Sequence, residues 1–161
     1  MIHRTAEISQ DEVYRYRLGR HWHGFAHAGG STCLFIMLNP STADANIDDH
    51  TIRRCMYYAA RWGHSELLVG NLFAFRATYP KDLKAAADPV GPGNDWHLEQ
   101  LIGQANQIIC AWGTDGAFMN RDQEVLALID GHGQALTVTK HGFPGHPARL
   151  ANDLVPVPYT K

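Results

Sequence analysis

Four uninterrupted apolar runs, each stopping abruptly in small or polar residues, constrain this chain more than any other feature. Leu34-Phe35-Ile36-Met37-Leu38 gives way to Asn39-Pro40-Ser41-Thr42-Ala43-Asp44, and Leu67-Leu68-Val69 to Gly70-Asn71. Ile108-Ile109-Cys110-Ala111 gives way to Trp112-Gly113-Thr114-Asp115-Gly116. Leu136-Thr137-Val138-Thr139 leads into Lys140-His141-Gly142-Phe143-Pro144-Gly145-His146-Pro147. A strand covered on both faces has no solvent side, so it loses the apolar–polar alternation and reads as a continuous run, as in parallel sheets. In open α/β sheets the ligand crevice lies outside the carboxyl ends of the strands. With all four strands pointing one way, Asn39, Asn71, Trp112 and His146 converge on a single edge.

The segments between these runs supply the other elements. Residues 13–18 alternate, with Tyr14, Tyr16 and Leu18 on one face and Arg15 and Arg17 on the other, which predicts a half-exposed strand antiparallel to the next one. Ile52, Cys55, Met56 and Ala59 repeat at helical spacing, predicting a helix over 51–62 that stops at Gly63. Thr78, Pro80 and Asp82 start a short helix leading into 83–87, and Asp88-Pro89-Val90-Gly91-Pro92-Gly93 reads as a rigid loop. Asn94 is expected to cap a third helix, with Leu98, Leu101, Ile102 and Ala105 as its buried stripe. A fourth is expected over 119–129, with Val125, Leu126 and Ile129 inward. Strands alternating with helices form right-handed crossover units. The expected fold class is therefore α/β: a three-layer α/β/α sandwich with a mostly parallel central sheet and an N-terminal antiparallel edge strand. One domain over 1–161 is expected, its core at about 13–150, with 156–161 a loosely attached tail.

Composition narrows the class of partner. No run approaches the roughly 18 apolar residues of a membrane span, and the first residues carry no signal-peptide pattern. Cys33, Cys55 and Cys110 form no CxxC pair, and two lie inside apolar runs. They read as buried packing residues of a cytoplasmic protein. A formal net charge of −2 gives no global basic footprint for duplex nucleic acid, although a local cationic strip stays open.

Several groups could carry chemistry. The Asn39 loop either holds a ligand or water through its carboxamide and amides, or forms an Asx turn in which Ser41 or Thr42 caps a short helix. Asp48-Asp49-His50 lacks a matched ligand set for a metal, and capping of the following helix is the preferred use. Asn71 ends an apolar strand, where a polar amide must find partners, and Phe73 and Phe75 follow it. An amide edge beside an aromatic face is what a flat heterocycle needs. Trp112-Gly113-Thr114-Asp115-Gly116 is too short for a Walker loop. The segment 140–147, with Lys140, His141 and His146 in a loop shaped by Gly and Pro, is the strongest catalytic candidate. His21, His23 and His27 lack a fourth ligand for zinc, and neither a metal nor a cofactor is expected.

Longer motifs are similar to a known family. Leu38-Asn39-Pro40-Ser41-Thr42-Ala43-Asp44, Asp49-His50-Thr51-Ile52-Arg53-Arg54-Cys55 and Asn71-Leu72-Phe73-Ala74-Phe75-Arg76-Ala77-Thr78 resemble domain-of-unknown-function family 1643, small bacterial and phage proteins. Ala111-Trp112-Gly113 and the segment 139–147 extend that likeness over about 14–150. The order of the strand-end motifs also resembles the uracil-DNA glycosylase superfamily. Those enzymes place an Asp or Asn beside a Pro after the first core strand, an Asn after the second, and a His-Pro-Ser-Pro loop after the last. Asn39-Pro40, Asn71 and His146-Pro147 stand in those places, with Ala148-Arg149 where Ser-Pro would follow.

This second resemblance implies a uracil-DNA-glycosylase-like fold and cleavage of an N-glycosidic bond. In that reading a neutral His146 donates a hydrogen bond to the departing base, Asn39 holds the attacking water and Asn71 reads the base edge. Phe73 or Phe75 stacks on the base, with Ser41, Thr42, Trp112, Lys140 and His141 lining the site, and Arg53, Arg54 or Arg149 engages phosphates. The partner is then nucleic acid with a flipped-out base. Two alternatives stay open: a hydrolase acting on free nucleotides or nucleosides, which the charge of −2 mildly favours, and a non-catalytic nucleic-acid-binding module.

Overall fold

A computed structural model describes residues 1–22, 30–41 and 46–160. Seven strands form one sheet: β1 His3–Ile8, β2 Arg15–His21, β3 Thr32–Met37, β4 Glu66–Asn71, β5 Gln107–Cys110, β6 Gly133–Ala135 and β7 Val157–Pro158. Their order across the sheet is β1-β2-β4-β3-β5-β6-β7. The helices are α1 His50–Arg61, α2 Pro80–Ala85, α3 Asn94–Gln104 and α4 Arg121–Ile129, with a 3-10 stretch over Thr114–Asn120.

The sheet is mixed rather than mostly parallel. β4, β3, β5 and β6 pair in parallel, whereas β1–β2, β2–β4 and β6–β7 pair antiparallel, so each arrangement holds half of the junctions. The parallel strands occupy the centre, and antiparallel pairs complete both margins. Phe35 sits between Val69 and Ile109 in register. Alternation along β3 sends Cys33, Phe35 and Met37 into the core beneath α1, while Leu34 and Ile36 join Leu98, Leu101, Val125 and Ile129 from α3 and α4. Helices therefore cover both faces, which is why the central strands read as unbroken apolar runs.

Local chemistry accounts for the helix ends. Asp49 caps α1, accepting the Ile52 amide at 2.8 Å, and Gly63 at φ 89° ends it. Asn94 does not cap α3. It is the first helical residue, fully buried, and its carboxamide donates to the carbonyls of Asn71 and Leu72 at 3.0 Å each. Gly70 lets α3 approach β4: a Cβ there would meet the side chains of Leu101 and Leu98 at 2.9 and 3.0 Å.

Four further expectations need correction. The fourth parallel strand is Gly133–Ala135, ahead of the expected 136–139, because Gly133 must pass close to the Tyr159 carbonyl and carries no apolar side chain to signal a strand. The C-terminal segment is no loose tail, since β7 pairs with β6, Tyr159 is buried, and its amide donates to Gly133 O at 2.9 Å. The edge strand is β1; β2 lies inside it, between β1 and β4, and does not pair with β3. The simple alternation read over 13–18 also fails. Glu7 pairs with Arg17 but Ile8 pairs with Arg15, so Tyr16 is an extra residue in a bulge. Tyr16 and Arg17 consequently both reach α3, at His97 and Gln104, while Arg15 turns to the α1 side and is buried.

Candidate functional site

A cavity of about 300 Å3 opens at the carboxyl edge of the parallel strands. Met37, Asn39 and Ser41 enter it from the end of β3, Asn71 from the end of β4, and Trp112 from the segment after β5. His146 comes from the loop after β6, Asp49 and Thr51 from the start of α1, and Arg15 from β2. The register partner of Met37 is Asn71, so the two strands stop together and their following residues share one rim.

Backbone hydrogen bonds lock these loops to one another. Leu72 and Phe73 donate to Met37 O and Leu38 O, at 2.9 and 3.0 Å, and Ala77 to Pro40 O at 3.1 Å. The Asn39 amide nitrogen donates to Pro40 O at 3.1 Å and Ala77 O at 2.9 Å. Those carbonyls can only accept, which identifies the nitrogen and leaves Oδ1 as the acceptor on the other side. Asn39 is therefore both a loop latch and a pocket residue.

Asn71 is 2% exposed, yet among the described residues its carboxamide makes no hydrogen bond with protein. Its own carbonyl is fixed by Asn94, and the next carbonyl, Leu72, by Asn94 and by the Arg121 Nε at 2.8 Å. The backbone is rigidly held, and the carboxamide borders the cavity. In the same lining the buried Trp112 Nε1 has no hydrogen-bond partner among the described residues, a situation that costs about 1–3 kcal/mol.

His146 stands at the mouth and is exposed to solvent. Its Nδ1 accepts the Ala148 amide at 3.2 Å, which puts the proton of the neutral ring on Nε2. Burial among its neighbours lowers its pKa below the ordinary histidine value; Asp49 pulls in the opposite direction, and His50 adds to the lowering. Asp49 Oδ1 is committed to capping α1, and Ser41 Oγ donates to Oδ2 at 3.4 Å. Arg15 is 5% exposed; burial pulls its pKa down to about 10, so it stays charged at neutral pH. Trp112, 3% exposed, forms the aromatic wall.

Other expected site residues lie elsewhere. Phe73 is fully buried against Phe118, and Phe75 packs edge-on to Tyr14, so neither lines the cavity. Arg54 is held by Tyr58 OH, Leu150 O and Asn152 Oδ1 at 2.8–2.9 Å, and Arg53 donates to Asp48 O at 2.6 Å. Lys140, His141 and Arg149 are exposed outside the cavity lining. Thr42 lies outside the described residues, as do His23 and His27. The alternation over 13–18 puts Arg15 on one face with Arg17, and the spacing of Asp48 and Asp49 points to a cap; the bulge conceals the first as a cavity residue, and a cap that also borders a cavity has no distinct spacing. Among the described residues, no group of three or more His, Cys, Asp or Glu could hold a metal ion. None of their helices is long and apolar enough to cross a membrane.

A larger cavity, about 630 Å3, lies at the opposite edge, lined by Trp62, His64, Gln107, His132 and Gln134 among others. Its polar groups largely satisfy one another: His64 bonds Ser31 Oγ at 2.8 Å and Gln107 Oε1 at 2.7 Å, and Gln107 Nε2 donates to Gln134 at 2.8 Å. The carboxyl-edge cavity brings together an amide with no hydrogen bond among the described residues, an Nε2–H and a guanidinium.

No curated protein and no solved structure is significantly similar to this chain. A family model described as "Protein of unknown function (DUF1643)" matches residues 15–148, and the chain belongs to that family.

Proposed function

We propose that this DUF1643 protein recognises a nucleobase in the carboxyl-edge cavity and hydrolyses the N-glycosidic bond that carries it. The observation that carries this reading is the Asn71 carboxamide, almost wholly buried, without a hydrogen bond among the described residues, in the same cavity as Trp112 and His146. A carboxamide offers a donor and an acceptor side by side, which matches the edge of a base, and an indole offers a stacking face.

The chemistry follows from charge. Breaking the bond leaves positive charge on the sugar and sends the bonding electron pair to the base. The Nε2–H of neutral His146 stabilises the departing anion, while Asp49, in the same cavity lining, favours positive charge on it and takes a proton from water. Asn39 Oδ1 holds that water. The water's hydroxyl adds to the anomeric carbon and its proton passes by way of Asp49 to the base, so water is consumed and free base released. Support comes from a low-pKa histidine, a carboxylate and a reading amide within one 300 Å3 cavity.

The test is base release. Nucleosides, nucleoside monophosphates and oligonucleotides carrying uracil or hypoxanthine are incubated with the protein, and free base is followed by chromatography. Release from one class, abolished in His146→Ala, is the expected result; no release from any class removes the reading.

A further inference from the structure

We infer that Tyr159, which lies outside the cavity lining, is a positioning residue for the site: its hydroxyl fixes the loop that delivers His146, and its ring fixes the indole of Trp112. The tasks of His146 and Trp112 rest on the nucleobase reading above; the way they are held does not.

The loop before His146 is a hairpin. Thr139 donates to Phe143 O at 2.7 Å, Gly142 to Thr139 O at 2.9 Å and Gly145 to Thr137 O at 2.9 Å, with Val138 bridged antiparallel to Pro144. Its return limb, 143–145, runs directly into His146, so the direction of the limb sets where the imidazole stands. Two ties hold the limb near its base, the Gly145–Thr137 bond and the Gly113–Pro144 bond. The turn is held from outside the hairpin: Tyr159 OH donates to Gly142 O at 2.9 Å. A tie at the turn lies farthest from the base and gives the greatest leverage against swinging of the whole loop.

The same side chain reaches the aromatic wall. Its ring meets Trp112 edge-on, with centroids 6.1 Å apart and planes at 74°, a favoured arrangement of two aromatic rings. Tyr159 is itself well anchored. It is 5% exposed, and its amide donates to Gly133 O at 2.9 Å, next to the pairing of β7 with β6. One buried residue thus ties the wall and the histidine loop to the central sheet.

The hydroxyl separates positioning from packing. A phenylalanine fills the same core space, so packing alone gives the hydroxyl no task, whereas here the O–H is spent on a loop carbonyl. Burial pushes the Tyr159 pKa up to about 12, so the group stays a donor at any ordinary working pH.

Steady-state base release and histidine NMR test this together in wild type, Tyr159→Phe, Tyr159→Leu and Val157→Thr. In Tyr159→Phe, kcat per folded enzyme should fall about threefold to tenfold, the worth of one neutral hydrogen bond, with KM kept within about twofold. In Tyr159→Leu, which also removes the ring behind Trp112, KM should rise as well. Val157→Thr, an exposed change in β7, should alter neither. The imidazole resonance of His146, assigned by its absence in His146→Ala, should move in Tyr159→Phe. The amides of Thr139 and Gly145 should exchange about threefold to tenfold faster there. A role in packing alone would lower the melting temperature and leave kcat per folded enzyme, the resonance and the exchange rates where they are; that pattern overturns the inference. Failure of Tyr159→Leu to fold does not blunt the test, because Tyr159→Phe carries every readout. If wild type releases no base, the nucleobase reading falls. The resonance and the exchange rates, which need no substrate, then decide by themselves: movement sustains the positioning role and no movement overturns it.

Discussion

The amide of Gly113 donates to the carbonyl of Pro144 at 2.9 Å, tying the segment that carries Trp112 to the loop that delivers His146. Gly113 makes that bond at φ 71°, ψ −166°, a conformation essentially reserved for glycine. A Cβ there would meet nothing within 4 Å, so the penalty for Gly113→Ala is backbone strain alone, about 1–3 kcal/mol. Thermal melts should show that loss, whereas Gly103→Ala, in α3 with open space around it, should raise stability by about 0.5–1 kcal/mol. Equal melting shifts for the two variants would contradict the assignment of strain to Gly113.

Activity should rest on neutral His146. Its folded pKa lies below the usual 6.5. On base release the acid limb of the pH–rate profile should therefore have its midpoint below 6.5 and disappear in His146→Ala, with a rate loss of about 10²–10⁴-fold. The stability linkage has the same direction. The unfolded chain takes up this proton first, so the contribution is full above pH 6.5 and is lost as pH falls from there through the folded pKa. His141→Ala, altering an exposed residue outside the cavity lining, should change neither.

Asn94 holds the backbone beneath Asn71. Asn94→Ala leaves the buried Asn71 carbonyl without its side-chain donor and should cost about 1–3 kcal/mol in urea denaturation. Ligand affinity should fall as well, although Asn94 is absent from the cavity lining. An unchanged affinity in the folded variant would show that Asn71 is positioned without it.

All three thiols should be inert in the folded protein. Cys33, Cys55 and Cys110 are fully buried, and burial raises each pKa, that of Cys110 to about 12. Iodoacetamide at pH 8 should label none within an hour-scale incubation and all three after unfolding. Rapid labelling of the native protein would mean that the core opens far more readily than its packing suggests.

The site was legible where chemistry interrupts a pattern. Asn39 and Asn71 stand out because each is a polar amide closing an apolar run, and the parallel register then brings both to one rim with Trp112 and His146. Phe73 and Phe75 carried no such information, because an aromatic after a strand serves the core or a pocket equally well; here Phe73 packs on Phe118. The last parallel strand was hidden because Gly133-Gln134-Ala135 is too short and too small to show periodicity. The nearby apolar run contributes Leu136 to the core on the α1 side instead. The docking of Tyr159, which donates its hydroxyl to Gly142 O at 2.9 Å, joins residues whose pairing no local pattern announces.

The bulge at Tyr16 has a consequence for how this strand can evolve. In a regular strand residues two apart share a face; leaving Tyr16 unpaired puts Arg15 and Arg17 on opposite ones. Deleting Tyr16 alone would restore a regular ladder in which Arg15 still opposes Ile8 and keeps its present face, while the ring that stacks on His97 is lost. A one-residue change of length in β2 can therefore be absorbed at Tyr16, where the ladder already carries an unpaired residue.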